Sequence, residues 1–232
     1  GVDIKEDGKT HKYTVINKKI KGNLEITKTD DAKKPLKGVE FTVYDAKDKE
    51  VAKVVTDAQG KAKYENLPYG KYYFKETKNL EGYVKNGTKY DIDVKQDMQT
   101  LKYDVINKKI RGSVEVLKVD ADKKEKPLQG VEFTLFDQNN KVVGKPKLTD
   151  KDGKVSFDKL AFGKYYIKET KTIKGYNINN EKFPVDIDTD GKVVKHTVTN
   201  KVIRGNVELL KVDTENKNVT LKGAEFELRG SN

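Results

Sequence analysis

Short runs in which apolar and polar residues alternate follow one another along most of this chain. In an extended strand, residues two apart share a face. In the run that begins at Gly70, Tyr72, Phe74 and Glu76 therefore lie on one face, and the same run returns from Gly163. Val, Ile, Tyr, Phe and Thr dominate these runs, and Asp-Gly or Gly-Lys steps typical of turns separate them. The pattern predicts an all-β protein.

The runs themselves repeat at a length typical of small domains. Lys28, Lys118 and Lys211 recur at intervals of 90 and 93 positions, and the Asn-Lys step at Asn17 returns with the same intervals. Units of this size are too long for solenoid repeats and suit autonomous domains. We expect complete repeats at 21–110 and 111–204, the closing hairpin of a preceding repeat at 1–20, and the opening strands of a further repeat at 205–232. The short junctions predict a stiff string of domains.

Each complete repeat is predicted to contain seven short strands. Such a number of short strands joined by loops is typical of a two-sheet, immunoglobulin-like sandwich. In the first repeat the alternation and the turn residues place these strands at Asn23–Thr29, Val39–Asp45, Glu50–Thr56, Lys61–Glu65, Tyr72–Thr77, Lys89–Val94 and Thr100–Asn107.

Three polar residues lie on otherwise apolar strand faces in each complete repeat. Lys28 follows Leu24 and Ile26 in register, and Asn107 follows Val105. The third residue is Glu76, and an ionised carboxylate on a buried face is costly unless it is paired. The second repeat carries the same three residue types at Lys118, Glu169 and Asn200. The alternative is that all are exposed strand ends, but this does not explain why three residue types keep apolar register in both repeats.

Several motifs resemble those of a known family. The residues that carry the resemblance are Leu24-Glu25-Ile26-Thr27-Lys28, Lys75-Glu76-Thr77 with Gly82-Tyr83, Val105-Ile106-Asn107, and their counterparts around Lys118, Glu169 and Asn200. Together they are similar to the B-type repeats of Gram-positive collagen adhesins and to pilin domains of the same prealbumin-like sandwich class. The resemblance implies self-formed isopeptide bonds joining Lys28 to Asn107 and Lys118 to Asn200, promoted by Glu76 and Glu169. It also implies an extracellular, wall-anchored location on a Gram-positive bacterium.

The residues themselves are suited to that chemistry. Burial lowers the pKa of a lysine and raises that of a glutamic acid, so the amine can become neutral and the acid can carry a proton. The reaction occurs once per repeat, which is not enzymatic turnover, and it needs no cofactor. Asn17 and Lys211 are half-sites without a counterpart of the glutamate, and we expect them to stay unlinked. A covalent staple also suits small domains in a chain with Cys 0.

Composition argues against several other functions. The net charge is +11, but lysines and acidic residues are interleaved throughout, which is typical of a solvated surface and not of a nucleic-acid site. No apolar run approaches membrane-spanning length. The stretch from Asp186 begins like a calcium loop, but its twelfth position is Thr197 instead of Glu, and its flanks predict a hairpin turn. His11 and His196 lack metal-ligand spacing, so no metal site is predicted.

We expect the repeats to act as a spacer that projects an adhesive domain from the cell wall. Their partners would then be neighbouring repeats, with a host matrix protein bound by another domain of the parent protein. The alternative is that the repeats themselves bind a host matrix protein. The incomplete repeats at the two ends would leave strand edges unpaired, which favours weak head-to-tail association between chains.

Overall fold

The computed structural model describes residues 3–230, and these residues contain strands and turns but no helix. Fourteen strands are arranged as two sets of seven, one in each complete repeat. In the first repeat they are β1 (Lys21–Asp30), β2 (Glu40–Asp45), β3 (Glu50–Val55), β4 (Lys61–Pro68), β5 (Gly70–Lys78), β6 (Tyr90–Val94) and β7 (Thr100–Asn107). In the second repeat they are β8 (Arg111–Asp120), β9 (Glu132–Asp137), β10 (Lys147–Leu148), β11 (Lys154–Ala161), β12 (Gly163–Lys171), β13 (Lys182–Ile187) and β14 (Val193–Asn200). The predicted all-β sandwich repeats are confirmed.

Each repeat consists of a three-stranded and a four-stranded sheet. In the first repeat the strand orders are β4-β1-β7 and β3-β2-β5-β6, and the second repeat has the equivalent orders β11-β8-β14 and β10-β9-β12-β13. The first and last strands of a repeat lie side by side and parallel, with Lys28 opposite Val105. All other strand pairs are antiparallel. The chain thus enters and leaves a repeat through neighbouring strands.

The alternating residues form a single core between the two sheets of each repeat. In the first repeat, Leu24 and Ile26 of the three-stranded sheet pack in the same cluster as Phe41, Phe74 and Ile92 of the four-stranded sheet. The second repeat has an equivalent cluster. Aspartates stabilise the tight turns between strands. For example, Asp57 Oδ1 accepts hydrogen bonds from the backbone N–H groups of Gln59 and Lys61.

One connection differs from the prediction. The sequence predicts a hairpin turn in the stretch from Asp186, but β13 pairs with β12 whereas β14 pairs with β8. The turn therefore passes from one sheet to the other. A hairpin within one sheet and a crossing between two sheets give the same alternation in the flanking strands. Alternation shows which face of a strand is buried and not which strand is its partner.

The two terminal segments are not paired into sheets. Residues 3–20 contain no strand, and residues 203–230 contain only the isolated bridge between Val212 and Thr220. Apolar side chains such as Val15 and Leu209 are exposed there, because no facing sheet covers them. The hairpin expected at 1–20 and the opening strands expected at 205–232 remain predictions, and residues 1–2 and 231–232 lie outside the described residues.

The junction between the complete repeats is held on both sides. The loop after β5 binds the linker through hydrogen bonds from Val84 N to Lys108 O and from Ile110 N to Gly82 O. Ile110 itself is 9% exposed and belongs to the core cluster of the second repeat. Within residues 3–230, no helix is long and apolar enough to cross a membrane.

Candidate cross-linking sites

The central strand of each three-stranded sheet carries a lysine into the core. Lys28 on β1 and Lys118 on β8 are both 0% exposed. Residues of neighbouring turns fix the backbone of Lys28. Its N–H donates to Gly60 O at 2.7 Å, and its carbonyl oxygen accepts from Leu36 N at 3.0 Å. Lys118 has the same two bonds, to Gly153 and Leu128. The lysine side chain therefore starts from a rigid backbone.

A glycine is required for this close backbone approach. Gly60 has φ +72°, and a Cβ built on it would lie 2.3 Å from the carbonyl oxygen of Lys28. Gly153 has φ +71°, and its Cβ would lie at the same distance from the carbonyl oxygen of Lys118. Only glycine adopts this backbone conformation readily and leaves that space free. The turn that anchors the lysine is thus specified by the sequence in both repeats.

The glutamate and the asparagine reach the lysine from two different strands. Glu76 projects from β5 in the opposite sheet and is 3% exposed, and Asn107 projects from the end of β7 and is 1% exposed. Asn107 lies two residues beyond Val105, the residue paired with Lys28 in the parallel ladder. In the second repeat Glu169 and Asn200 hold the equivalent positions and are 0% and 2% exposed. The structure thus brings together the three predicted residues of each complete repeat.

In the second repeat the three side chains contact one another directly. Lys118 Nζ donates to Asn200 Oδ1 at 2.6 Å and lies 3.3 Å from Glu169 Oε2. Asn200 Nδ2 donates to Glu169 Oε1 at 2.7 Å. The amine therefore lies beside the amide carbonyl, and the carboxyl group contacts both the amine and the amide nitrogen.

The first repeat has a looser version of the same arrangement. Asn107 Nδ2 donates to Glu76 Oε1 at 2.9 Å, and Glu76 Oε2 lies 3.7 Å from Lys28 Nζ. Here Lys28 Nζ donates to the carbonyl oxygen of Val105 at 3.3 Å. The amide oxygen of Asn107 is buried there without a hydrogen-bond partner among the described residues.

In the first repeat, burial brings the pKa values of Lys28 and Glu76 closer together. Desolvation lowers the pKa of Lys28 and of Lys118 to about 8, although the nearby glutamate in each repeat acts in the opposite direction. Desolvation also raises the pKa of Glu76, against the effect of its hydrogen bond from Asn107 and of the charge on Lys28. Transfer of a proton from Lys28 to Glu76 therefore costs less in this core than it would in water.

The half-sites are placed differently. Asn17 and Lys211 are exposed, and within residues 3–230 neither forms a hydrogen bond or an ion pair with a glutamate. No group of three or more His, Cys, Asp or Glu residues that could hold a metal ion occurs in the same range. His196 lies with its Nε2 2.8 Å from the carbonyl oxygen of Pro184, as an ordinary strand residue can.

The structure also adds residues that the sequence pattern did not indicate. Asn79 and Thr172 each contact the nitrogen of the buried asparagine amide, at 2.8 Å in both repeats. They occupy the same position, three residues after the glutamate. Because their residue types differ, comparing the two repeats does not point to this position. Asp30 is also buried, at 1% exposed, and forms an ion pair with Lys109 of the linker at 2.8 Å.

Comparisons with known proteins agree with this architecture. Serine-aspartate repeat-containing protein E of Staphylococcus aureus (strain Mu50) is 31% identical over 189 residues, which are 73% of this chain and 16% of that protein. The bone sialoprotein-binding protein of S. aureus (strain MRSA252) is 32% identical over 195 residues, with the same coverage. The chain spans only 11–16% of the length of such curated relatives.

Solved structures and a family model give the same result. The Bacillus anthracis TIE protein superimposes with a TM-score of 0.70 at 41% identity, covering 78% of this chain and 34% of that one. A C-terminal fragment of the pilus adhesin SpaC from Lactobacillus rhamnosus GG shares the fold, with a TM-score of 0.57 at 15% identity over 82% of this chain and 100% of that one. The model of the SpaA prealbumin-like fold domain matches residues 22–109 and 112–202. The chain therefore belongs to the SpaA prealbumin-like domain family and carries two such domains in tandem.

Proposed function

We propose that the chain is a stalk segment of a Gram-positive surface protein and that each complete repeat is stabilised by a self-formed Lys–Asn isopeptide bond. The observation that carries this proposal is the buried set of lysine, glutamate and asparagine, present with the same topology in both repeats. A buried amine 2.6 Å from an amide oxygen, with a carboxyl group contacting both residues, has the components that the reaction needs.

The proposed reaction begins with a proton transfer within the ion pair. Lys118 gives a proton to Glu169, which leaves a neutral amine and a carboxylic acid. The amine nitrogen attacks Cγ of Asn200, and the C–N bond to Nδ2 breaks as Nδ2 takes up a proton delivered by the glutamic acid. The attacking nitrogen loses its extra proton to the carboxylate, so ammonia leaves and the glutamate ends as it was after the first transfer. Fixed positions in the core replace a bimolecular encounter.

The bond would stabilise each repeat through the unfolded state. Lys28 and Asn107 are 79 positions apart, and Lys118 and Asn200 are 82 apart. In the chain-entropy treatment of cross-links, closing a loop of this length contributes about 4.5 kcal/mol to the free energy of unfolding. With Cys 0, the chain has no disulfide to serve this purpose.

The bond would also carry mechanical load along the stalk. Force that enters at the start of β1 passes to Lys28, crosses to Asn107 at the end of the adjacent parallel strand, and leaves through the linker. Residues 29–106 are then shielded from tension. A segment that must transmit force without lengthening is what a stalk requires.

The proposed setting follows from the relatives. The family model and the matched staphylococcal proteins are from Gram-positive surface proteins, so we place this chain outside the cell, in a protein anchored to the wall. Its nearest partners would be adjoining repeats, and a host matrix protein would bind another domain. Weak head-to-tail association through the exposed apolar terminal segments is part of the same proposal.

A second candidate function has one specific observation in its favour. One relative is named for binding bone sialoprotein, a matrix protein, and the match to this chain covers part of it. If the repeats themselves bind such ligands, this 232-residue chain should bind immobilised bone sialoprotein, collagen or fibrinogen with saturation. A stalk segment should bind none of them, and an unrelated lysine-rich protein of similar charge serves as the control.

The cross-link itself is tested by proteolysis and tandem mass spectrometry. We expect one branched peptide that joins the segment containing Lys28 to that containing Asn107, and a second that joins the segments containing Lys118 and Asn200. Recovery of these four segments only as linear peptides would contradict the proposal.

A further inference from the structure

A second acceptor contacts the amide nitrogen that would leave as ammonia. Asn107 Nδ2 donates to Glu76 Oε1 at 2.9 Å and also to Asn79 Oδ1 at 2.8 Å. In the second repeat, Asn200 Nδ2 donates to Glu169 Oε1 at 2.7 Å and to Thr172 Oγ1 at 2.8 Å. A primary amide nitrogen carries two hydrogens, and here both are bonded to acceptors.

These two bonds fix which way the amide faces. With Nδ2 held between two acceptors, the amide oxygen points away from them, and in the second repeat it lies 2.6 Å from Lys118 Nζ. A flipped amide would place its oxygen against two other oxygens and its nitrogen against the lysine. Attack on Cγ and departure of Nδ2 toward the glutamate both require the orientation that is observed.

The glutamate alone cannot maintain this orientation during the reaction. Once it has taken the lysine proton it is both a donor and an acceptor, and it can bond equally well to the nitrogen or to the oxygen of the amide. The second acceptor does not change its protonation state. In the first repeat Asn79 Oδ1 can only accept, so it keeps the nitrogen in place at the step in which the amide is attacked. In the second repeat the Thr172 hydroxyl can also donate, so it anchors the amide without selecting the nitrogen alone.

In the first repeat the second acceptor is itself held in one orientation. Asn79 Nδ2 donates to the carbonyl oxygen of Tyr83 at 2.7 Å, and Asn79 Oδ1 accepts from Leu80 N at 2.8 Å. Its oxygen, and not its nitrogen, must therefore face Asn107. Asn79 and Thr172 each lie one position beyond the end of the strand that carries the glutamate.

We propose that Asn79 and Thr172 are positioning residues that orient the asparagine amide for isopeptide formation. The inference rests on the proposed function and extends it to a position where the two repeats use different side chains for one purpose. The requirement is an oxygen acceptor at this position, which the amide of Asn79 and the hydroxyl of Thr172 both provide.

The test compares the rates at which the two repeats link in one chain. A chain that folds during expression would already be linked, so the full chain is isolated before it folds, from inclusion bodies dissolved in urea. Refolding is started by dilution, and samples denatured at intervals are mapped for linked and unlinked peptides. Thr172→Val keeps the shape of the side chain and removes the hydroxyl, whereas Thr172→Ser keeps the hydroxyl. The first repeat is the internal control in every sample.

We expect Thr172→Val to slow linkage in the second repeat roughly two- to tenfold, the range for one lost hydrogen bond. Linkage in the first repeat should be unchanged, and Thr172→Ser should restore the rate in the second. In the first repeat, Asn79→Leu should slow isopeptide formation, whereas Asn79→Thr should leave its rate close to normal.

A role in orienting the amide is distinguished from a role in stabilising the fold by measuring the stability of a chain that cannot form the isopeptide bond. In a Lys118→Ala background, which cannot link, Thr172→Val should lower the unfolding midpoint of the second repeat by no more than the loss of one buried hydrogen bond, and the repeat should still be folded under the refolding conditions. A second repeat that is unfolded under those conditions, or a normal linkage rate in Thr172→Val, would overturn the inference. If the unchanged chain does not link at all, the proposed function fails and this inference fails with it.

Discussion

A lysine and a glutamate that are both almost fully buried destabilise a core unless their charges are compensated or removed. Removing two charges from water costs more than an ordinary ion pair returns, and leaving one of them alone in the core is worse. In this chain the pair occurs twice, at Lys28 with Glu76 and at Lys118 with Glu169. The proposed conversion of the lysine to an amide would remove its charge and so relieve the cost that the unreacted core carries.

Replacement of one glutamate by glutamine tests its role. Glu76→Gln keeps the size of the side chain but removes the group that accepts and returns the proton. We expect a folded chain in which the first repeat is unlinked and the second is linked, so that the mass falls by about 17 Da instead of twice that. Glu169→Gln should give the mirror result. Two bonds in Glu76→Gln would contradict the assigned role.

The pH dependence of linkage follows from the shifted pKa values. The pair reacts when it holds one proton in total, either on the amine or on the carboxyl group. Because the pKa of Lys28 is lowered to about 8, the pair loses this proton above about pH 8, and the rate should fall there. Because the pKa of Glu76 is raised above its ordinary value of 4.5, the rate should fall again on acidification through that raised pKa, when both groups are protonated. Refolding time courses across this range should give a plateau bounded on both sides, whereas a rate that rises continuously with pH would contradict the shared proton.

At the scale of the elements, the linker isoleucine joins one repeat to the next. Ile110 is 9% exposed and packs in the core of the second repeat, whereas Ile203 holds the equivalent place after that repeat and is 58% exposed. Ile110→Ala should lower the free energy of unfolding of the second repeat by about 2–4 kcal/mol. The matched change Ile203→Ala should alter it by less than about 0.5 kcal/mol. Chemical denaturation, monitored by hydrogen exchange in β8 and β14, measures the loss of stability in each variant. Equal losses in Ile110→Ala and Ile203→Ala would contradict the docking of Ile110.

The alternation of residues predicted the strands closely but not every partner. In the first repeat the predicted Thr100–Asn107 matches β7, and Asn23–Thr29 lies within β1. The inward register of Lys28, Glu76 and Asn107 was also readable, because a polar residue in an apolar row is conspicuous. The parallel pairing of β1 with β7 was not readable, since it joins residues far apart in sequence and leaves no local pattern.

Contacts made by loops were the main features missed. Asn79 and Thr172 lie just beyond strand ends, where no periodicity specifies direction, and their types differ between repeats. Lys109 pairs with buried Asp30 in the first repeat, but Val202 takes the place of that lysine in the second. There Asp120 Oδ2 accepts a hydrogen bond from Tyr176 at 2.7 Å instead. In each repeat the buried aspartate therefore has a polar partner, but the partner comes from a different position and leaves no shared sequence motif.

For the whole molecule, the expected consequence is resistance to stretching. In single-molecule pulling from both ends, the unchanged chain should show no extension step from either complete repeat. Lys28→Ala should add one step, and unravelling of the 79 positions between residues 28 and 107 limits its length to about 260–280 Å. Lys118→Ala should add a similar step from the second repeat. Long steps in the unchanged chain would mean that load passes through the cores.

The intact mass of the purified chain tests the central claim most directly. Each isopeptide bond releases one ammonia, so two bonds should make the protein about 34 Da lighter than its sequence. Lys28→Ala and Lys118→Ala should each reduce this deficit by half, relative to their own sequence masses, and the double variant should abolish it. A deficit of about 34 Da would support self-formed cross-links in both repeats. A mass equal to that of the sequence would contradict them.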